Sequence, residues 1–336
     1  MISPSLTVLM PVYNGGEFLR GAVESILGQT YSNFEFLIVD DGSTDESLEI
    51  CRGFRDPRIR LEENGRNLGL IATLNRGLDL AEGDYIARMD SDDVSFPARL
   101  ARQVQFMEDN PDVGICGTWY ERVSGQGRTL MQPPAEDRMI RFLLIFDTVF
   151  AHNTIMLRRQ FLETHRLRYD PGYKYAEDFE FWTRCSRYTR LANIPETLLR
   201  YHFHAGNTSN RFRAGQVEAA DRVRCRYLSD LGLTPTESEY RIHTDLIQFR
   251  LAGNLADLQA AGEWLTVLGG AARKTLGIPE RVIHRELGRY WYGACAAQAD
   301  RGMEVVRMFN AYAIGRNAGR EWQAKLVARS LLKLKV

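Results

Sequence analysis

The chain has 336 residues, 44% hydrophobic and 26% charged, enough to bury a full core and to divide into two domains. Its 43 basic residues balance 43 acidic ones, so no overall field favours nucleic acid as a partner. Five scattered cysteines without C-x-x-C spacing argue for reduced thiols, and against a zinc knuckle or a disulfide framework. No apolar run approaches the roughly 20 residues that cross a bilayer, and the first residues carry no signal-peptide pattern. The expectation is a soluble, cytoplasmic protein.

Leu6 to Met10 is a continuous apolar run followed by the Gly-containing loop Pro11 to Gly16, the pattern of a buried parallel strand entering a turn. Phe18, Leu19, Ala22, Val23, Ile26 and Leu27 then follow helical spacing. Phe34 to Val39 reads as a second buried strand, ending in Asp40, Asp41 and Gly42. Ser43 and Glu46 have capping-box spacing for the next helix. A third unit runs from Arg58 to Leu61 through Asn67 to Gly69 into a helix carrying Leu70, Leu74 and Leu78. This repeat of strand, loop and helix is the rhythm of a doubly wound α/β sheet, in which ligands collect beyond the carboxyl ends of the strands. Neither the phosphate-loop nor the dinucleotide glycine pattern follows the first strand, which argues against a P-loop enzyme or a Rossmann dehydrogenase.

The fourth strand, Tyr85 to Met89, ends abruptly in Asp90, Ser91, Asp92 and Asp93. Three carboxylates within four residues cannot all stay ionised cheaply without water or a cation, and hard oxygen ligands at this density suit Mg²⁺ or Mn²⁺. A solvated acidic turn ahead of the next helix is the alternative. An EF-hand is excluded, because the turn glycine and the closing glutamate are both missing.

A helix with Leu100, Val104 and Met107 follows Pro97, then a strand over Val113 to Trp119, and a surface excursion or hairpin from Ser124 to Pro134. Asn153 to Leu157 is β-like, and Arg158 and Arg159 open a short helix. Glu177 and Asp178 stand at a helix start ahead of Phe179, Phe181 and Trp182, a place where the helix dipole alone also favours carboxylates. Trp182 reads as core. Leu198 to His204 is the last strand, with His202 and His204 on one face by strand period. From about residue 214 helical periodicity takes over. Thr234 and Pro235 look like N-cap and first helical residue, and a helix follows Pro279. The turn Asp300 to Gly302 and a basic amphipathic tail from Trp322 to Val336 complete the chain. Such a tail is either a packed or solvated helix or a peripheral membrane contact.

Six motifs occur in one order: VLMPVYNGGEFL, SILGQTYSNFEFLIVDDGSTD, NLGL with LNRGL and AEGDYIARMDSDD, HNTIMLRR, AEDFEFWTR and LLRYHFHAGNTS. Over about the first 210 residues the chain thereby resembles a family 2 glycosyltransferase with the GT-A fold. The resemblance implies an α/β architecture, a Rossmann-like, mostly parallel sheet flanked by helices. The expected division is a nucleotide-sugar-dependent transferase domain over 1–213 and a helical extension over 214–336 that packs on it. Residue by residue, it implies that Pro11, Tyr13, Asp41 and Asp40 hold the base and ribose, and that Asn67 lines the donor site. Asp90 and Asp92 would form the D-x-D and, with Asp93, hold Mn²⁺ or Mg²⁺ on the diphosphate. Asp178 would be the catalytic base, Glu177 an acceptor contact, and His204 a metal or diphosphate contact. Position 202 is usually Arg in the family and is His here, which leaves the assignment between His202 and His204 open.

The implied reaction is a single displacement at the anomeric carbon of a nucleotide-diphosphate sugar, a UDP-sugar first with a dTDP-sugar as the alternative, with inversion, onto a glycan or lipid-linked acceptor in cell-surface polysaccharide or glycan synthesis. A sugar-1-phosphate nucleotidyltransferase is the enzymatic alternative, but PVYNGGEFL lacks the basic residues of that signature. A catalytically silent nucleotide-sugar binding module is the non-enzymatic one, separated by a test of donor hydrolysis or transfer with Mn²⁺.

Overall fold

The computed structural model describes residues 5–204, 213–251 and 254–333. The chain divides into two compact units, Met1–Val223 and Arg224–Val336. In the first, strands β1 (Leu6–Val12), β2 (Phe34–Asp40), β3 (Ile59–Glu63) and β4 (Tyr85–Arg88) pair in parallel in the order 3-2-1-4. Every residue of β1 is buried. That is why the run carries no polar alternation: a parallel strand covered on both faces has no solvent side. Gly83 enters β4 against β1, where a Cβ would lie 2.4 Å from the Thr7 nitrogen.

Helices α1 (Leu19–Leu27), α3 (Leu70–Leu80) and α4 (Arg99–Asp109) cover the sheet with stripes at helical spacing: Leu19, Ala22, Val23 and Ile26 from α1, and Leu100, Val104 and Met107 from α4. Beyond β4 the sheet turns mixed. β8 (Met156–Arg158) runs antiparallel to β4, and β6 (Val113–Ser124) antiparallel to β8. β9 (Arg190–His202) is parallel to β6, and the short β5 (Val94–Ser95) closes that edge against β9. β7 (Gly127–Met131) pairs with β6, making the Ser124–Pro134 stretch a hairpin.

Two helix starts differ from expectation. Helix α2 (Ser47–Gly53) begins four residues beyond Ser43, and its N-cap Glu46 makes no capping bond. The polar side chains of this stretch are spent elsewhere: Ser43 Oγ accepts from Asn14 N (3.1 Å), Ser47 Oγ from Gly15 N (2.8 Å), and Asp45 from Gly16 N (3.2 Å) and Ser47 N (3.0 Å). They brace the loop after β1. The helix expected to start with Thr234 and Pro235 runs over Glu237–Ile247, with Thr236 as N-cap. Thr236 and Glu239 form a reciprocal capping box, which satisfies two donors where a start at Thr234 would satisfy fewer.

The second unit is helical, with Leu255–Leu276, Glu280–Ala296 and Arg320–Leu331 among its elements. Trp264, Leu265, Trp291 and Phe309 lie in its interior. Trp264 Nε1 donates to His243 (3.1 Å) and Trp291 Nε1 to the Phe309 carbonyl (3.1 Å), so both buried indoles are satisfied. No helix among the described residues is long and apolar enough to cross a membrane. The end of the LLRYHFHAGNTS motif, Ala205 to Ser209, and the last residues of the basic tail lie outside the described residues.

Candidate active site

Three loops meet at the carboxyl ends of β1, β2 and β4. After β1, Pro11 stays buried in the strand while Tyr13 is 49% exposed. Asn14 takes a positive φ of 52° and its Oδ1 accepts from Thr44 N (2.8 Å), tying this loop to the one after β2. Asp40 and Asp41 are both buried but serve differently. Asp40 Oδ2 accepts from Gly42 N (3.0 Å) and Ser43 N (3.1 Å), and its Oδ1 is buried without a hydrogen-bond partner. The Asp41 carboxylate accepts from Asn64 Nδ2 (2.7 Å), Leu68 N (2.8 Å) and Gly69 N (2.9 Å), so it shapes the loop that exposes Asn67. Gly42 permits the approach: its φ is +73°, and a Cβ there would lie 2.4 to 2.7 Å from the backbone of Arg66 and Asn67.

The acidic turn after β4 brings ligand atoms of Asp90, Asp92 and Asp93 within 4.8 Å of one another. Asp90 and Asp92 are partly exposed, whereas Asp93 is 0% exposed. Asp93 Oδ1 accepts from His202 N (2.8 Å), and its Oδ2 accepts from Asn153 Nδ2. Burial, with Asp90 and Asp92 alongside, raises the Asp93 carboxyl well above the usual range. Asp90 is raised too, because burial and the neighbouring Asp92 outweigh the pull of Arg88.

The two histidines separate by their bonds. His202 Nδ1 is engaged by the Asp92 carbonyl (2.7 Å), while His204 Nε2 meets the Asp92 carboxylate (3.0 Å). Both rings stack on Phe18, at 5.6 and 5.1 Å.

Two cations under this turn were not singled out by the sequence pattern. Arg88 is 3% exposed and pairs with Asp90, and its Nε has no hydrogen-bond partner. Arg99 is fully buried and donates to the Arg88 carbonyl (2.6 Å) and Gln103 (3.0 Å); burial pulls it down to about 10. An arginine inside an otherwise apolar strand was the available signal.

Glu177 and Asp178 open α7 (Glu177–Cys185). Glu177 is buried, whereas Asp178 is partly exposed, its Oδ1 accepting from Phe179 N (2.7 Å). Burial, then the adjacent Glu177, pushes the Asp178 carboxyl up to about 7, against the opposing pull of Arg88. Arg88 also acts on Glu177, Tyr169 and His152, so one buried guanidinium serves the acidic turn and the E-D pair together. His152 Nε2 meets the Tyr169 hydroxyl at 2.8 Å. Trp182 is buried, as its place in the α7 stripe implies. Tyr175, just before the pair, holds a φ of +74°, unusual for a bulky residue.

The chain matches the family described as Glycosyl transferase family 2 over residues 7–166. An uncharacterized glycosyltransferase of Haemophilus influenzae is 32% identical over 246 residues, which cover 68% of this chain and 76% of that protein. The O-antigen biosynthesis glycosyltransferase WbnJ of Escherichia coli is 32% identical over 60% of this chain and 81% of its own length. Among solved structures, S. aureus TarS 1-349 in complex with UDP-GlcNAc is similar with a TM-score of 0.58 at 16% identity, covering 98% of this chain and 92% of that one. Against a longer TarS chain the match spans 55% of its length. The mannosyltransferase PcManGT of Pyrobaculum calidifontis, in complex with GDP-Man and Mn²⁺, gives 0.53 at 18% identity, covering 98% and 88%. At such identities the structural likeness speaks for the fold, which is GT-A with a helical C-terminal region. The chain belongs to glycosyl transferase family 2, and it is a glycosyltransferase.

Proposed function

We propose that this enzyme transfers a sugar from a UDP-sugar to an acceptor hydroxyl, with inversion, by a single displacement in which Asp178 is the base. The observation that carries this reading is the separation of two kinds of carboxylate. One set is crowded on an acidic turn, and the other is a partly exposed aspartate held at about 7. A base poised near neutrality takes a hydroxyl proton efficiently and stays ionised in about half the molecules at that pH. Glu177, buried beside it, holds Asp178 high and orients the acceptor.

The donor set fits a hard divalent cation: three carboxylates whose ligand atoms lie within 4.8 Å of one another, two of them accessible, with burial raising the carboxyls of Asp90 and Asp93. Asp90, Asp92 and His204 would hold it, with Asp93 both completing the acidic cluster and fixing the turn to β9 through His202. Mn²⁺ or Mg²⁺ there supplies positive charge against the negative charge gathering on the leaving diphosphate. Tyr13 offers an exposed ring to the base, Pro11 and Asp40 lie buried at the ends of β1 and β2, and Asp41 presents the Asn67 loop to the donor. The UDP-GlcNAc complex of TarS supports a uridine donor, and the O-antigen role in WbnJ's name supports an acceptor in cell-surface polysaccharide or glycan synthesis.

We assign the transferase to residues 1–213 and read 214–336 as a helical extension without a site of its own. Among the described residues, the acidic turn is the one group of three that could hold a metal. Exposed Leu331 and Leu332 beside Lys333 support a peripheral contact of the tail with the cytoplasmic face of the membrane.

The test is Asp178→Asn. It keeps size and much of the hydrogen bonding, so UDP and Mn²⁺ binding by calorimetry should be unchanged while transfer falls about 10² to 10⁴-fold. The wild-type product should show inverted anomeric configuration by NMR. Near-normal turnover in the variant, or a retained product, rejects the mechanism.

A further inference from the structure

A concavity of about 370 Å³ lies at the opposite end of the sheet from the acidic turn, where β8 ends and β6 begins. Tyr85 at the start of β4 pairs with Arg158 at the end of β8, so Asp90 is five residues away along the chain. That is roughly 17 Å of extended backbone.

The lining has a consistent chemistry. Tyr188 is 51% exposed, and its ring stacks on His165 at 4.5 Å with the planes 21° apart. Both rings border the concavity. Gln160 and Thr164 border it as well, and among the described residues neither side chain is committed to a hydrogen bond. The one guanidinium there is spent on the fold. Arg158 donates to the carbonyls of Met107 (2.8 Å), Asn110 (3.2 Å) and Val113 (3.3 Å) and to the Tyr85 hydroxyl (3.3 Å). Asp112 is paired with Arg190 at 2.8 Å.

An anion would find no uncommitted arginine or lysine, and an apolar ligand would strand the amide and the hydroxyl. A neutral polyhydroxylated ring fits instead, with its C–H face on the tyrosine and its hydroxyls on Gln160, Thr164 and the Asp112 carboxylate. The volume falls within the ~300–1,000 Å³ of small-ligand clefts. We propose that this concavity binds a neutral glycan, namely a segment of the acceptor remote from the hydroxyl that reacts. The inference rests on the acceptor reading above. Holding a long acceptor at a second point raises the effective concentration of its reacting end without any new contact at the active site.

The test uses the full chain and three neutral probes, chitohexaose, maltohexaose and mannohexaose, by saturation-transfer NMR. At least one should bind wild type and Asp92→Asn alike, bind Tyr188→Ala at least five-fold more weakly, and bind Tyr188→Phe normally. Donor hydrolysis with Mn²⁺, measured on the same samples, should be equal in wild type and Tyr188→Ala. The proposal is overturned if no hexasaccharide binds, if Tyr188→Ala binds as wild type does, or if Asp92→Asn abolishes binding. Hydrolysis that persists in any of those cases leaves the transferase reading standing and removes only this site; absent hydrolysis in wild type removes that reading.

Discussion

Arg88 sits among several carboxyls. It pairs with Asp90 and acts on Asp93, Glu177 and Asp178, yet it is almost wholly buried and carries an Nε without a hydrogen-bond partner. Desolvating such a group is costly, and removing one partner of a buried pair costs more, about 3–5 kcal/mol, because the remaining charge is stranded. Arg88→Gln should therefore unfold at a lower urea midpoint, and Mn²⁺ should restore a larger share of stability in the variant than in wild type. The same neighbourhood sets the pH profile. As the proposed base, Asp178 would have to be ionised to accept a proton, and its carboxyl is pushed up to about 7. The rate at low substrate, kcat/KM, should fall about tenfold for each pH unit below 7 and level off above it. A flat profile between pH 5.5 and 8 would remove Asp178 from the proton transfer. Asp178 drew its expected role from the family resemblance alone, whereas the acidic turn could be picked out from residue type and spacing. Arg88 could not be given a role that way, because a strand read as an apolar run gives no sign of what an interrupting arginine faces.

At the scale of elements, the legible parts were those whose burial is two-sided. β1 and β2 declare themselves as largely apolar runs, and β4 as a short one interrupted only by Arg88, since helices cover both faces of the parallel strands. β9 was legible only from Leu198 onward, although the strand begins at Arg190. Pro195 and Glu196 fall at the break in its register with β6, where Ile194 pairs with Thr118 and Thr197 with Trp119. A proline is tolerated at such an irregularity but erases the strand pattern in the sequence. Helix α2 was misplaced because Ser43, Asp45 and Ser47 serve a neighbouring loop, a partner that lies about 30 residues away. The loop between β2 and α2 depends on Gly42 in the same long-range way. Gly42→Ala combines a left-handed φ with contact inside 3 Å against backbone that cannot rotate aside. It should lose more than about 1 kcal/mol in urea denaturation and weaken UDP binding, because the Asn67 loop must shift. Equal affinity in calorimetry would mean that this loop does not meet the donor.

For the molecule as a whole, the site is a store of unfavourable charge. Asp90, Asp93, Glu177 and Asp178 all have raised proton affinity in the folded state, chiefly through burial. A carboxyl raised on folding gives stability that is complete below its unfolded value, near 4, and is lost as pH climbs through the folded value. In EDTA the melting temperature should decline from pH 5 toward pH 8 through these groups, and Mn²⁺ at about 100 times its Kd should add roughly 2.7 kcal/mol at the upper end. An EDTA curve that rises over that interval would contradict the assignment. Asp93 has one more consequence, and it concerns the order of events during synthesis. Its two oxygens are held by Asn153 and by the backbone of His202, the latter 109 residues downstream. Contacts of that span form late, after much loop entropy has been surrendered. Until residue 202 has left the ribosome, the nascent chain can pair its four parallel strands but cannot clamp the acidic turn. On the proposed assignment of this turn to metal binding, catalytic competence is withheld from every truncated translation product that stops short of residue 202.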